Sequence, residues 1–350
     1  MNSLLKSVAV FVMNTVKVIQ EQQERRLIEI SDSMLTLQSQ DRMKKLTILL
    51  LVFLFSCGTG SPKFDEDNAF KYLLTQCEFG PRNPGSEGYY ACLKFMVEEL
   101  NNFADEIILQ DFDYQEQKYG NRYDLQNVIA RFNPDAEFQT IISCHWDTRP
   151  WAEHEEKRKD RSTPIMGAND GASGVAVLLE LAKIMAENPP EIGVNLVFFD
   201  GEDMGVSGVN DTYCQGSRYF SKNLPIPKPQ EAINLDMVGD KQLHLPVEKY
   251  SLEFHPQLVR YLWKRADDLG LDAFDITPQN AIYDDHVPLY EIAGIPAIDL
   301  IDFKYPNSYA NFWHTLDDLP ENCSAKSLGQ VGTLMVDYIY NREGQDWSEF

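Results

Sequence analysis

The sequence predicts an α/β fold: a single domain in which a mixed, mostly parallel central sheet is flanked by helices. Short apolar segments with Val and Ile alternate along the chain with longer amphipathic segments, and this alternation is typical of sheets that are at least partly parallel. Apolar residues make up 43% and aromatic residues 11% of the 350 residues. This composition is sufficient for a sizeable core and too apolar for a disordered chain.

Helices are predicted where apolar residues recur at helical spacing. A Gly/Pro-rich turn at 80–85 separates the first two helices, and Ser86 is placed to cap the second one. The third helix has little polarity and is therefore expected to be buried. The predicted helices are residues 65–77, 87–101, 175–186, about 256–268 and 325–341.

Strands are predicted where short segments consist mainly of apolar residues. The segment 194–199 is apolar almost throughout, which favours a central strand covered on both faces. The predicted strands are residues 125–132, 140–144, 194–199, 232–235 and 295–300.

The chain is strongly acidic, with 54 Asp and Glu residues against 31 Lys and Arg residues and a formal net charge of -23. This charge argues against nucleic acid as a partner, because neutralising phosphates requires a basic surface. It gives no reason to expect an anionic substrate. Acidity without a pattern is interpreted as a source of solubility.

Residues 43–57 have the features of a secretory signal. Two lysines precede the apolar run 46–55, which is too short to span a bilayer, since a spanning helix needs roughly 20 apolar residues. The end of the run resembles a bacterial lipoprotein box, in which Cys57 is lipidated and becomes the first residue of the mature chain. We therefore expect a lipid anchor to the membrane through Cys57.

Residues 1–42 fit poorly in front of such a signal, because a signal normally begins the chain. We expect Met43 to be the initiator and residues 1–42 to be a non-native or mis-called extension. In the alternative, residues 4–19 form an amphipathic or anchoring helix and the run 46–55 is internal.

The signal interpretation also predicts the domain organisation. The mature protein would be a lipoprotein of the bacterial cell envelope that faces the periplasm or the cell surface. The expected segments are the extension 1–42, the signal peptide 43–56, the tether 57–64 and the catalytic domain 65–350.

Six cysteines in 350 residues are too few for a disulfide scaffold. Cys77 and Cys92 lie on either side of the turn at 80–85 and are candidates for one disulfide in an oxidising envelope.

Acidic and histidine residues collect near the ends of the predicted strands, and in open α/β sheets ligands bind beyond the carboxyl ends of the strands. One such cluster alone would be a weak signal, but the joint arrangement favours a site. The residues are His145 and Asp147, Asp170 in a Gly-rich loop, Glu202 and Asp203, Asp236, the cluster Asp284, Asp285 and His286, and the late His314.

This set of residues suits zinc, which binds His nitrogen and carboxylate oxygen in near-tetrahedral geometry and keeps one position open in catalytic sites. There are enough candidates for one zinc ion, or for two ions that share Asp170. Glu202, beside Asp203, is a candidate general base next to the metal. The candidate ligands are His145, Asp170, Asp203, Asp236 and His314.

The order of these motifs resembles the zinc-aminopeptidase-like metallopeptidase family over most of residues 65–341. The motifs are His-x-Asp, Gly-x-x-Asp-x-x-x-Gly, Glu-Asp after a buried strand, Asn-Leu-Asp-Met, Asp-His and a late His-Thr. The resemblance implies one of two activities. Aminopeptidases bind two zinc ions and hydrolyse an amino-terminal residue, whereas glutaminyl cyclases bind one zinc ion and convert the amino-terminal glutamine of a peptide or protein into pyroglutamate, releasing ammonia.

Four segments favour the cyclase branch over the aminopeptidases. Residues 198–203 resemble the cyclase Phe-Phe-Asp-Gly-Glu-Glu segment, and residues 284–288 resemble its Asp-Asp-His-Ile-Pro. Residues 313–318 are similar to a cyclase Trp-His-Thr-x-Asp-Asp, and residues 216–218 match a cyclase Gly-Ser-Arg.

By this resemblance the zinc ligands would be Asp170, Asp203 and His314. Asp203 stands where the family usually has Glu, and its shorter carboxylate must lie closer to the metal. Glu202 would be the catalytic proton shuttle.

The same resemblance assigns Asp236 and Asp284 to a hydrogen-bonded acidic pair near the proton shuttle, with a part in catalysis. Trp313 would line the substrate pocket. The segment after the Glu-Asp pair lacks the tryptophan of the animal cyclases, and Trp146 or Trp151 are the candidates to substitute for it.

Several alternatives stay open at the level of sequence. His145 and Asp236 are non-ligands in a cyclase, but in an aminopeptidase they or their neighbours complete a second zinc site. His286 is expected to support the site more than to bind metal, and His154 is expected at the surface. A non-catalytic binding or receptor-like member of the family is the third alternative, and the intact set of metal-site residues argues against it.

Overall fold

A six-stranded mixed sheet forms the centre of the domain in the computed structural model, which describes residues 61–116 and 120–342. The sheet order is β1-β2-β4-β3-β5-β8, in which β1 and β2 are antiparallel to their neighbours and the other four strands are parallel to one another. The predicted fold class is therefore confirmed. The strands are β1 (Glu106–Gln115), β2 (Arg122–Phe132), β3 (Gln139–His145), β4 (Gly193–Phe199), β5 (Glu231–Asp236), β6 (Leu245–Val247), β7 (Phe274–Pro278), β8 (Ala297–Ile301), β9 (Pro306–Asn307) and β10 (Ala310–Asn311).

Helices cover both faces of this sheet. Helix α3 packs on β3, with α1 and α8 packed against α3, while α4 and α7 contact the opposite face. The helices are α1 (Glu66–Glu78), α2 (Glu87–Asn101), α3 (Ala172–Glu187), α4 (Gln215–Lys222), α5 (Lys249–Phe254), α6 (Pro256–Leu269), α7 (His286–Glu291) and α8 (Ala325–Asn341). In the described part of the chain, no helix combines the length and apolarity needed to cross a bilayer.

The apolar character of β4 follows from its central position. Successive side chains of a strand point to opposite faces, and here both faces are covered. Leu196 packs into the larger core with α3 and α8, whereas Val197 packs into a smaller core with Phe220 of α4 and Leu289 of α7. All seven residues of β4 are buried for this reason.

A glycine in the first turn of α3 places this helix against the edge of the sheet. A Cβ atom on Gly174 would lie 2.6 Å from Cβ of Cys144 and 2.7 Å from the carbonyl oxygen of Leu235. Only a residue without a side chain permits this approach. The loop that carries Asp170 into α3 is thereby held at the carboxyl ends of β3 and β5.

Each predicted helix and strand overlaps an element of the same type. The helix predicted at 87–101 has these bounds in the structure, because Ser86 caps it by accepting a hydrogen bond from the amide of Tyr89. Strand β8 begins at Ala297 and not at the predicted residue 295, because Pro296 has no amide hydrogen for the ladder.

Some features of the described structure differ from the expectations. Strand β1 was not predicted, because Asp111 and Asp113 disfavour a strand in isolation. The candidate disulfide is not formed: Cys77 and Cys92 are free thiols, buried in the larger core. The extension 1–42, the signal 43–56, Cys57 and the first residues of the tether lie outside the described residues.

Candidate active site

The predicted site residues converge at the carboxyl ends of three parallel strands. His145 is the last residue of β3 and pairs with Phe199, the last residue of β4, while Asp236 ends β5. Because neighbouring parallel strands end at the same edge, the loops that follow them bring their polar side chains together.

Asp170, Asp203 and His314 form one compact group of buried side chains. Their ligand atoms all lie within 4.8 Å of one another, and Nε2 of His314 is 3.0 Å from Oδ1 of Asp203 and 3.7 Å from Oδ2 of Asp170. The Oδ2 atoms of both aspartates are buried and have no hydrogen-bond partner in the described structure. Buried carboxylate oxygens without a donor are costly, and a cation satisfies them. The group that the sequence predicted as the zinc ligands therefore fits a metal ion.

A second group shares Asp170 with the first. Nε2 of His145 lies 3.1 Å from Oδ1 of Asp170 and 3.1 Å from Oδ1 of Asp236, and its Nδ1 lies 3.6 Å from Asp147. Burial disfavours the charged imidazole, but hydrogen bonds to the three aspartates outweigh it and raise the pKa of His145 well above its ordinary value. His145, Asp170 and Asp236 nevertheless form a second group of possible metal ligands, whose ligand atoms all lie within 4.8 Å of one another.

Two further aspartates hold the backbone of the loops that carry these residues. Asp147 accepts hydrogen bonds from the amides of Glu202 (3.1 Å) and Asp203 (3.3 Å). Asp318 accepts from the amides of Asn169 (2.8 Å) and Asp170 (3.1 Å). Sequence reasoning included both aspartates in motifs but assigned them no function.

Glu202 lies on a single 3-10 turn directly after β4, and it is buried. The turn requires Gly201, which has a φ of 69° and whose Cβ would lie 2.6 Å from Leu125. Burial and the charge of Asp203 raise the pKa of Glu202 well above its ordinary value. The thiol of Cys214 donates to Oε1 of Glu202 at 3.4 Å. Such a carboxyl group is suited to accept a proton and return it.

Asp236 and Asp284, expected as an acidic pair, each have another hydrogen-bond partner in the described structure. Asp236 pairs with His145, and Oδ2 of Asp284 accepts from the side-chain amide of Asn234 at 3.2 Å. The two aspartates still interact through charge, because burial and the negative charge of Asp236 raise the pKa of Asp284 to about 7. Asp284 also lies close to Glu202 and Cys214.

His286 is not a member of the groups of possible metal ligands in the described chain. It is fully buried, with Nε2 3.3 Å from Glu248 and Nδ1 3.9 Å from Asp299. This placement agrees with the expectation that it supports the site.

A cavity of about 240 Å³ opens over these groups. Trp313 lines it as predicted, with its ring 3.9 Å from that of His314 and 4.8 Å from that of Phe303. The remaining lining residues are Asp170, Glu202, Asp203, Ser207, Gly208, Asn210, Tyr213, Asp236, Ala281, Ile282, Tyr283, Asp284 and Ile301.

Neither tryptophan proposed as a substitute for the missing one lines this cavity. Trp146 is completely buried and packs against Tyr89, with ring centroids 4.5 Å apart, and Trp151 lies under the guanidinium of Arg149. Tyr213, which sequence reasoning missed, lines the cavity on the side of the segment after the Glu-Asp pair.

Sequence reasoning also missed two residues after the His-x-Asp motif, Arg149 and Glu153. Oε1 of Glu153 lies 3.1 Å from Nδ1 of His314, and Arg149 contacts both Glu153 and Asp203. His154 is exposed, as expected, but its ring stacks on that of His314 with centroids 5.6 Å apart. The signal in the sequence was an Arg and a Glu at i,i+4 spacing directly after a predicted site motif.

Comparison with known proteins decides the family. Residues 127–339 match peptidase family M28. The chain belongs to this family. The resemblance to zinc aminopeptidase-like proteins and to their glutaminyl cyclase branch is confirmed by relatives of both kinds, and zinc is the metal expected for family M28.

Three similar proteins illustrate the range within family M28. The glutaminyl-peptide cyclotransferase of Bos taurus is 24% identical over 297 residues, which cover 74% of this chain and 77% of that protein. The crystal structure of Bacteroides thetaiotaomicron glutaminyl cyclase bound to N-acetylhistamine has a TM-score of 0.77 and 33% identity, covering 81% of this chain and 99% of that one. A leucine aminopeptidase precursor from Bacteroides thetaiotaomicron VPI-5482 has a TM-score of 0.76 and 34% identity, again covering 81% and 99%.

Proposed function

We propose that the protein is a zinc-dependent glutaminyl-peptide cyclotransferase, which converts the amino-terminal glutamine of peptides or proteins into pyroglutamate. One observation carries the proposal. Glu202 and the group Asp170, Asp203 and His314 line the same small cavity, with Trp313 as an aromatic wall. The similarity to glutaminyl cyclases from animals and bacteria supports it.

The size of the cavity suits a single side chain. Sites for drug-sized ligands measure about 300–1,000 Å³, whereas this cavity measures about 240 Å³. An amino-terminal glutamine fits such a space, while the rest of the peptide remains outside. The enzyme would therefore select for the terminal residue.

A zinc ion held by Asp170, Asp203 and His314 would act as a Lewis acid toward the side-chain amide of the substrate. Glu202 takes a proton from the α-amine, whose nitrogen forms a bond to the amide carbon. The bond from this carbon to the amide nitrogen then breaks, and Glu202 returns the proton to the departing ammonia. Trp313 holds the glutamine side chain folded toward its own amine. No water is consumed.

The alternative is a dinuclear zinc aminopeptidase, and a specific observation favours it. His145, Asp170 and Asp236 still form a second group of possible ligands, and a leucine aminopeptidase precursor is among the similar structures. An aminopeptidase needs a water molecule as nucleophile, whereas a cyclase needs only the substrate's amine.

One assay distinguishes the two functions. The purified protein is incubated with a glutaminyl peptide and, separately, with leucyl-nitroanilide. Release of ammonia together with a peptide lighter by one ammonia is expected from the cyclase. Hydrolysis of the leucyl substrate without cyclisation would overturn the proposal. Metal analysis is expected to give about one zinc per chain, since the cyclase uses a single Lewis acid.

The location in the cell envelope is a separate proposal, supported by the signal and lipoprotein box at residues 43–57. Labelled fatty acid fed to a bacterial host is expected to enter the wild-type protein and not the Cys57→Ala variant. Equal labelling of both would contradict the anchor.

A further inference from the structure

The segment from Arg149 to Glu155 contacts the segment that carries His314 at several points. The amide of His154 donates to the carbonyl oxygen of His314 at 3.2 Å, and Glu155 accepts from the amide of Leu316 at 2.9 Å. His314 needs such support, because its φ of 55° lies in the left-handed region that residues with a side chain rarely adopt. The segment therefore holds His314 in a strained conformation.

Glu153 contacts the imidazole of His314 on the side opposite to the predicted metal. Nε2 of His314 points toward Asp203, while Nδ1 lies 3.1 Å from Oε1 of Glu153. An imidazole that binds metal through Nε2 carries its proton on Nδ1, and a carboxylate that accepts this proton fixes the tautomer and the ring orientation.

Arg149 joins Glu153 to the second predicted ligand. Its Nε donates to Oε2 of Glu153 at 3.1 Å, and its Nη2 contacts Oε1. Its Nη1 donates to the carbonyl oxygen of Asp203 at 2.8 Å and lies 3.4 Å from Oδ1 of the same residue. The guanidinium is buried, and its Cζ atom lies 4.8 Å from the ring centroid of Trp151 and 5.3 Å from that of Tyr213.

We propose that the ion pair of Arg149 and Glu153 is a positioning device that orients Asp203 and His314 and strengthens metal binding at this group. The proposal rests on the metal site of the proposed function. The two side chains carry opposite charges and add no net charge to the site, so their effect comes from orientation and hydrogen bonding. Asp203 is shorter than the Glu that is usual at its position, and Arg149 fixes both its backbone and its carboxylate.

The test measures zinc affinity directly, by competition with a chromophoric chelator. Glu153→Ala is expected to weaken zinc binding about 10- to 100-fold, the range for loss of a group that supports a metal ligand. Glu153→Gln is expected to weaken it less, because the amide oxygen still accepts the Nδ1 proton. Arg149→Met should also weaken binding, and the double variant should lose less than the sum of the two single losses. The visible spectrum of the cobalt-substituted protein reports ligand geometry and is expected to shift in Glu153→Ala.

Glu156→Gln is the matched control, because Glu156 is exposed in the same loop and undergoes the same chemical change. Its zinc affinity is expected to equal that of the wild type. Thermal unfolding of each variant without metal checks that the fold is kept. If Glu153→Ala does not fold, the zinc affinity of Glu153→Gln tests the proposal instead.

The outcomes separate this inference from the proposed function. Folded Glu153 and Arg149 variants with wild-type zinc affinity and an unchanged cobalt spectrum would overturn the inference alone. An equal loss of affinity in Glu156→Gln would also overturn it. Wild-type protein that binds no zinc would overturn the proposed function as well.

Discussion

Nε2 of His314 lies 3.0 Å from Oδ1 of Asp203, although one residue precedes α8 and the other follows β4. The loop after β4 and the segment before α8 meet at the edge of the sheet where the loop before α3 also brings Asp170. Oδ2 of Asp203 accepts no hydrogen bond in the described structure. The pair therefore offers a ring nitrogen and an unpaired carboxylate oxygen as neighbouring metal ligands. Such a pair is suited to divalent zinc.

Two buried histidines test which of the two groups holds the metal. His314→Ala is expected to lose zinc, with affinity reduced more than about 100-fold, the upper range for loss of a supporting group. His145→Ala is expected to keep about one zinc per chain, because a single Lewis acid suffices for cyclisation. Metal analysis after dialysis measures both. Equal loss in the two variants would instead favour a dinuclear site.

Glu202→Gln is expected to reduce kcat by about 10²- to 10⁴-fold, the contribution of a positioned acid–base group. Zinc content should not change, because Glu202 is not a member of the group Asp170, Asp203 and His314. Glu187→Gln is the matched control, since Glu187 is exposed at the end of α3. Ammonia release measures turnover, and substantial activity in Glu202→Gln would remove its assigned function.

Trp313→Ala is expected to lower kcat/KM for a glutaminyl peptide by about tenfold, which corresponds to about 1.4 kcal/mol. The ring lines the cavity and packs on His314 and Phe303, so its loss removes the wall that folds the substrate. Trp313→Phe keeps an aromatic face and should retain most of the activity. If both variants had wild-type kcat/KM, Trp313 would not contact the substrate.

Much of the fold and site could be predicted because the signals are local. The apolar run of β4 and the capping serine of α2 are each specified by neighbouring residues, and acidic residues after buried strands indicate a site at the edge of the sheet. Strand β1 also carries a local signal, an alternation of polar and apolar residues from 111 to 115, which sequence reasoning did not use.

The missed site residues depend on tertiary contacts. Glu153 acquires its position from His314, and Tyr213 is brought to the cavity by the turn before α4. The partners of Asp236 and Asp284, which are His145 and Asn234, also come from other parts of the chain. No local pattern around these residues specifies which partner is reached.

The centre of the sheet is expected to be sensitive to loss of volume. Leu196→Ala removes a fully buried side chain from β4 and should lower the free energy of unfolding by about 2–5 kcal/mol. Leu109→Ala on β1 is the control, because its side chain is 45% exposed, and it should change stability by less than about 0.5 kcal/mol. Urea unfolding measures both, and equal losses would contradict the assignment of the core.

A buried carboxylate at the start of β5 predicts how stability depends on pH. Glu231 accepts hydrogen bonds from Arg342 (2.9 Å) and Tyr338 (2.6 Å), and it lies 3.1 Å from Nε2 of His255. Burial favours the protonated form, but these partners outweigh it and lower the pKa of Glu231 to about 2.

Because the folded-state pKa lies below the ordinary value of 4.5, Glu231 contributes its full stabilisation above that pH and loses it as the pH falls toward about 2. We expect about 2 kcal/mol of this contribution to be lost near pH 3. The free energy of unfolding, measured by urea from neutral pH to near pH 3, should therefore fall more steeply in the wild type than in Glu231→Gln. Parallel curves for the two proteins would mean that Glu231 titrates alike in the folded and unfolded chains.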